Sequence, residues 1–68
     1  MKPEEIFGVN AGKVWNALNA SGKAMTVYQI MKATGLKRED VFGALGWLGR
    51  EGKIEIIKDK KSVSFKLI

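Results

Sequence analysis

The side chains most capable of chemistry in this sequence are cationic, and five of the twelve lie close together in two short stretches. One stretch follows the apolar residues Ile54 and Ile56, and the other precedes Val41. Lysine and arginine keep their charge at neutral pH and neutralise phosphate groups irrespective of base sequence. On the helix-turn-helix fold that the order of elements predicts below, we expect four lysines to contact phosphates and three further residues to lie nearest to the bases of a DNA duplex. The lysines are Lys37, Lys58, Lys60 and Lys61, and the other three are Arg38, Phe42 and Arg50.

The lysines near the C-terminus have a second explanation. Lysine is common on exposed edge strands, where its charge keeps the strand from pairing with another molecule. A contact with nucleic acid and protection against aggregation select the same residue type. This stretch alone therefore favours neither explanation over the other.

The sequence lacks the groups that most enzymes need. Histidine and cysteine are absent, which excludes an imidazole base, a thiolate nucleophile and a disulfide. The seven acidic residues are scattered, and the adjacent Glu39 and Asp40 would lie about 100° apart on a helix rather than converge on a metal ion. No glycine-rich segment joins a strand to a helix as a phosphate-binding loop would. We predict that the protein is not an enzyme and holds no metal, cofactor or small-molecule substrate.

The net charge and the length of the chain limit which partners it can be expected to bind. Twelve basic and seven acidic residues give a net charge of +5, which favours polyanions such as double-stranded DNA. The lack of cysteine, of a signal peptide and of a membrane-spanning run predicts a cytoplasmic protein with no membrane partner. A chain of 68 residues buries only about 60% of its unfolded surface. Pairing of two copies as a homodimer is an ordinary remedy for so small a core.

Helix and strand signals follow one another along the chain. After an arm of residues 1–8, helices are predicted at 10–20, 26–34 and 37–51. Asn10 is a good N-cap for the first helix, with Val9 and Val14 as a hydrophobic staple. Thr26 and Gln29 have the spacing of a capping box at the start of the second. Alternating apolar and polar residues then predict a hairpin over 53–68.

The order of these elements indicates a fold. The second and third helices are separated by a very short turn that contains Gly35, which is typical of a helix-turn-helix. A hairpin directly after the third helix adds a wing. We predict a single α+β domain over residues 1–68, a winged helix-turn-helix with a minimal strand between the first two helices.

Two stretches also resemble a known family. They are Gly8 to Trp15, read GVNAGKVW, and Ala44 to Ile54, read ALGWLGREGKI. Both are similar to segments of a family of small prokaryotic winged helix-turn-helix proteins with no assigned function, and the likeness covers nearly the whole chain. The resemblance implies the winged-helix fold and, from some relatives, a homodimer. It implies no catalytic or ligand-binding residues.

The outer face of the third helix is poorly suited to reading bases. Val41, Leu45 and Leu48 share the inner face, because they are spaced for one side of a helix. Base-reading helices usually offer Arg, Asn or Gln on the opposite side. Here that side carries Glu39, Gly43, Gly46 and Arg50, between Phe42 and Trp47.

The glycines on this face leave several explanations open. A glycine inside a helix costs about 1 kcal/mol relative to alanine, so some close approach should offset it. A second copy or another protein is one candidate, with Phe42, Gly43, Gly46 and Trp47 as the predicted interface. The sugar-phosphate backbone of DNA is another. For Trp47 we favour packing within the chain, against the arm or the hairpin, because large aromatic side chains are mostly buried.

Overall fold

The computed structural model describes residues 1–68 as three α-helices and one antiparallel sheet. The helices are α1 (Val9–Ser21), α2 (Val27–Thr34) and α3 (Arg38–Arg50), and a π-helical turn, Glu4–Gly8, runs directly into α1. The strands are β1 (Met25–Thr26), β2 (Ile54–Lys58) and β3 (Val63–Leu67). None of the helices has the length and apolar character that crossing a bilayer requires.

The N-terminal segment differs from its prediction. Residues 1–8 were expected to form an arm before a helix capped by Asn10, but Gly8 and Val9 are already helical. Glu4 and Glu5 occupy the first turn, where the helix dipole favours negative charge. Asn10 therefore lies inside a helix rather than at its cap, and Val9 is exposed instead of forming a staple. The predicted cap and staple are both wrong, because helical backbone continues through the glycine from the turn before it.

The start and end of α2 follow the sequence signals. The Thr26 hydroxyl accepts a hydrogen bond from the Gln29 backbone N–H at 3.2 Å, and the Gln29 side chain accepts one from the Thr26 N–H at 2.9 Å. This reciprocal capping box confirms the predicted start. Gly35 ends the helix with φ of 74°, a left-handed conformation that glycine adopts without steric cost. Only residues 35–37 then separate α2 from α3, which sets the geometry of the helix-turn-helix.

The sheet carries the wing. Its strand order is β1-β3-β2, so β3 lies in the middle and pairs with both neighbours in antiparallel fashion. Met25 lies opposite Phe65 on one side, and Ile56 lies opposite Phe65 on the other. The short strand β1 thus anchors the hairpin to the segment just before α2. The far end of the hairpin, from Lys58 to Val63, extends beyond this anchor.

The core lies where the helices meet the base of the hairpin. Ten apolar residues are buried, and no polar side chain is buried with them. Helix α3 supplies four of them, the predicted Val41, Leu45 and Leu48 together with Ala44. The buried set is Ala11, Val14, Leu18, Ile30, Val41, Ala44, Leu45, Leu48, Ile54 and Phe65. The predicted α+β architecture, a helix-turn-helix followed by a wing, is confirmed.

Candidate nucleic-acid interface

The tip of the wing presents three lysines to solvent. The turn is closed by a hydrogen bond from the Asp59 N–H to the Ser62 carbonyl at 2.9 Å. The Asp59 carboxylate accepts a further bond from the Lys60 backbone N–H at 2.7 Å. Lys58, Lys60 and Lys61 form no ion pair, because the one ion pair of the chain joins Lys53 to Glu51 at 3.8 Å. The acidic residue of the turn therefore holds the backbone, and the lysine charges stay available.

The start of α3 holds a second group of cations. Lys37 is the N-cap residue and makes no capping hydrogen bond with its side chain. The guanidinium carbon of Arg38 lies 5.3 Å from the centre of the Phe42 ring, in a cation–π contact one turn apart on the helix. Phe42 is 48% exposed. The structure thus brings Arg38 and Phe42 together on one side of α3.

The predicted glycine face of α3 is divided by the N-terminal segment. A Cβ on Gly43 would lie 2.8 Å from Cε1 and 2.9 Å from Cδ1 of Phe7, so this side chain already occupies the space beside the glycine. The Phe7 ring also stacks on Trp47, with ring centres 6.4 Å apart. Gly43 is therefore not bare backbone for a second molecule, which corrects that part of the predicted interface. Trp47 packs within the chain against the N-terminal segment, as the sequence analysis predicts for this residue.

The other glycines of α3 remain open. A Cβ on Gly46 or Gly49 would meet nothing within 4 Å. Both line a groove of about 500 Å³ between α3 and β2, whose walls include Phe42 and the 61% exposed side chain of Ile56. Arg50 lies next to Trp47 and Glu51. Arg50 therefore lies beside this groove, one helical turn after Gly46, rather than in its lining.

Substituting alanine at two glycines of α3 should have different effects on stability. Gly46→Ala is expected to stabilise the fold by about 1 kcal/mol, because the new methyl group has space and alanine favours helix. Gly43→Ala should lose most of that gain, because the methyl group displaces the Phe7 ring. Urea unfolding of each variant measures the difference. Removing the ring in Phe7→Ala should restore the gain at position 43, whereas equal stabilisation by both single variants would contradict the Phe7 contact.

Tyr28 is an exposed residue that the sequence reasoning missed. It is 63% exposed near the start of α2, and the Lys32 ammonium lies 5.4 Å from the centre of its ring. Together with Arg38 and Phe42 it lines a second groove, which is closed on the wing side by Val63. Tyr28 lies two residues before the buried Ile30, which places it about 200° away around the helix. This spacing could have predicted that its ring faces outward.

Comparison with known proteins assigns the family. A family model described as "Winged helix-turn-helix domain (DUF2582)" matches residues 1–67. The chain belongs to the DUF2582 family. Uncharacterized protein MJ1608 of Methanocaldococcus jannaschii is 36% identical over 62 residues, which span 90% of this chain and 89% of that protein. The solution NMR structure of protein BT2368 from Bacteroides thetaiotaomicron is similar with a TM-score of 0.88 and 32% identity, covering 97% of this chain and 79% of that one.

In this DUF2582 domain, the two stretches that carry the family resemblance meet in space. A cleft between α1 and α3 is lined by Gly8, Gly12 and Trp15 from the first stretch and by Trp47 and Glu51 from the second. Many of the residues that carry the resemblance therefore lie where α1 and the N-terminal turn approach α3. Neither stretch includes any of the four lysines predicted to contact phosphates.

The DUF2582 domain has a DNA-binding type of fold. No group of three or more acidic side chains is arranged to hold a metal ion. The acidic and basic side chains all lie at the surface, since no charged or polar residue is buried. The surface charge and the exposed aromatic rings are thus the features available for recognition.

Proposed function

We propose that this domain binds double-stranded DNA mainly through phosphate contacts and acts in association with transcription. The observation that carries the proposal is the set of cations on the wing and at the start of α3, all exposed and none in an ion pair. In helix-turn-helix proteins the second helix of the motif lies in the major groove, and flanking elements contact the backbone. The phosphate-contacting residues are Lys37, Lys58, Lys60 and Lys61, with Arg38, Phe42 and Arg50 nearest the bases.

Weak sequence preference follows from the composition of α3. Bidentate recognition of guanine or adenine requires Arg, Lys, Asn or Gln facing the bases. The wing side of α3 carries Phe42, Gly46 and Gly49 instead, with Arg38 as its cation. Phe42 offers an apolar contact to a thymine methyl group. Most of the affinity would therefore come from phosphates. For a relative of prokaryotic proteins, such a role implies a cytoplasmic location.

The salt dependence of binding tests the proposal. Fluorescence anisotropy with a labelled mixed-sequence duplex should give affinities that fall steeply as salt rises. Four phosphate contacts predict a log–log slope of roughly −3 to −4. A second duplex of unrelated sequence should bind with similar affinity. Absence of binding at low salt would overturn the proposal.

The groove between α3 and β2 supports a second candidate function, pairing with another copy or with a different protein. Gly46 and Gly49 have open space beside them, and close helix contacts favour such small residues. If two copies pair here as a homodimer, Gly46→Leu should convert the dimer to monomer in sedimentation experiments. A dimer that survives Gly46→Leu would rule out this groove as its interface.

A further inference from the structure

We propose that the groove between α2, α3 and β3 binds an unpaired nucleobase by stacking it on Tyr28 and Phe42. This inference rests on the proposed contact with nucleic acid and specifies the substrate as DNA or RNA with unpaired bases, such as a duplex with a single-stranded overhang. The wing lysines would hold the flanking phosphates.

Two exposed aromatic rings line this one groove. Tyr28 is 63% and Phe42 is 48% exposed, although aromatic side chains of this size are usually well covered. Between them the groove has an apolar lining that includes Val27, Val63 and the edge of Phe65. Its volume is about 430 Å³, within the usual range of roughly 300–1,000 Å³ for ligand sites. An apolar floor beside two partly exposed aromatic rings suits a flat ligand that has lost its stacking partner.

Each ring also has a cation next to it. The Lys32 ammonium lies 5.4 Å from the Tyr28 ring centre, and the Arg38 guanidinium lies 5.3 Å from that of Phe42. Surfaces that bind single strands usually combine aromatic rings with basic residues, because the bases stack on the rings while the cations contact the phosphate backbone. Arg38 lines the groove itself, and Lys32 contacts the Tyr28 ring from just outside the lining.

The charge around the groove favours a nucleic-acid strand as occupant. No acidic side chain is among its lining residues, and Ser62 places it next to Lys60 and Lys61 on the wing. A second copy of this chain carries the same net charge of +5 and would be repelled at this rim. A phosphodiester strand is instead complementary to it.

Base pairing decides which part of a nucleic acid can enter. Inside a duplex both faces of every base are already stacked on neighbours, so the rings of Tyr28 and Phe42 have no open face to contact. An overhang or a bulge presents open faces without the cost of unstacking, which is a few kcal/mol when a base must be extruded. The groove therefore selects for unpaired bases beside a duplex that the lysines hold.

The test compares three labelled ligands by anisotropy at one salt concentration. They are a blunt duplex, the same duplex with a short oligo-dT overhang, and the same duplex with an oligo-U overhang. Stacking of one base predicts that an overhang raises affinity about 5-fold or more over the blunt duplex. Preference for the dT overhang, the U overhang or both supports the inference and shows which strand chemistry is accepted.

Variants at Tyr28 test whether the preference for an overhang arises from this groove. Tyr28→Leu should reduce the overhang preference several-fold while leaving blunt-duplex affinity and the salt slope unchanged, because no charge is lost. Tyr28→Phe should keep the preference, since the ring remains. Trp15→Leu is a matched control, because this partly exposed ring lies in the α1–α3 cleft instead.

Two outcomes distinguish this inference from the proposed function. Equal binding of blunt and overhang duplexes, with the expected salt slope, overturns the stacking site and leaves duplex binding in place. Binding of an overhang duplex without any binding of the blunt duplex overturns the proposed duplex function and supports the groove. An overhang preference that survives both Tyr28→Leu and Phe42→Leu overturns the inference.

Discussion

Replacing Lys58, Lys60 and Lys61 together with glutamine is expected to weaken duplex binding on the order of a hundredfold at about 0.1 M salt. Each phosphate contact releases a condensed counterion and contributes roughly 0.9 to the slope of log affinity against log salt. Loss of three contacts should therefore flatten the slope by about 2.7. The three side chains are exposed and form no ion pair, so the fold should be unaffected. Anisotropy across a salt series measures both quantities.

A charge-matched control separates local contact from general attraction. Lys2, Lys13 and Lys23 are also exposed but lie at the N-terminus, on α1 and just after it. Changing them to glutamine lowers the net charge by the same three units, from +5 to +2. This control variant should keep most of the slope of the wild type. Equal losses in the two variants would show that the wing lysines hold no phosphates and that only net charge attracts the DNA.

Local signals were sufficient to predict the helix-turn-helix and the wing. The capping box at Thr26 and Gln29 depends on residues three apart, and the left-handed conformation of Gly35 depends on glycine alone. After Gly52 the apolar residues change from helical spacing to alternation, and this local change likewise predicts the hairpin. Because each signal concerns neighbouring residues, the sequence contains all the information needed to place these elements.

The N-terminal segment could not be placed by such signals. Val9 and Asn10 have the pattern of a helix start, but helical backbone from Glu4 onward continues through them. Whether Phe7 reaches Gly43 depends on the angle at which that turn meets α3, and no spacing along the chain encodes this angle. The position of Phe7 is set by tertiary packing on Trp47. For the same reason the sequence could not show which glycine of α3 is covered.

Only part of the candidate site could be predicted from the sequence. The exposure of the wing lysines follows from a polar turn between alternating strands, and the Arg38–Phe42 contact follows from their spacing of one helical turn. The convergence of Tyr28 with Phe42 and Val63 brings together side chains from α2, α3 and β3, and no local spacing relates their positions. Phe7 over Gly43 closes one side of the α3 surface. The open part of α3 therefore faces the wing, where the cations and both exposed rings of the groove lie.

Replacing Ile30 with alanine is expected to have the largest effect on stability. Ile30 is fully buried in α2 and belongs to the core that joins the three helices to the hairpin. Truncating a buried isoleucine to alanine typically costs about 2–5 kcal/mol, because the cavity refills only partly. A domain of this size is stable by roughly 3–10 kcal/mol in total. The melting temperature should therefore fall by about 10 °C or more, as circular dichroism will measure.

Tyr28→Ala on the same helix is the matched comparison, and it links stability to function. Tyr28 lies two residues from Ile30 but faces solvent, so its loss should change the free energy of unfolding by only about 0.5 kcal/mol. Ile30→Ala should therefore weaken binding of every nucleic acid in proportion to the unfolded fraction. Tyr28→Ala should weaken binding of unpaired bases while the protein stays folded. A large drop in melting temperature for Tyr28→Ala would instead mean that its ring supports the helix-turn-helix, because an exposed side chain that serves only the groove contributes little to folding.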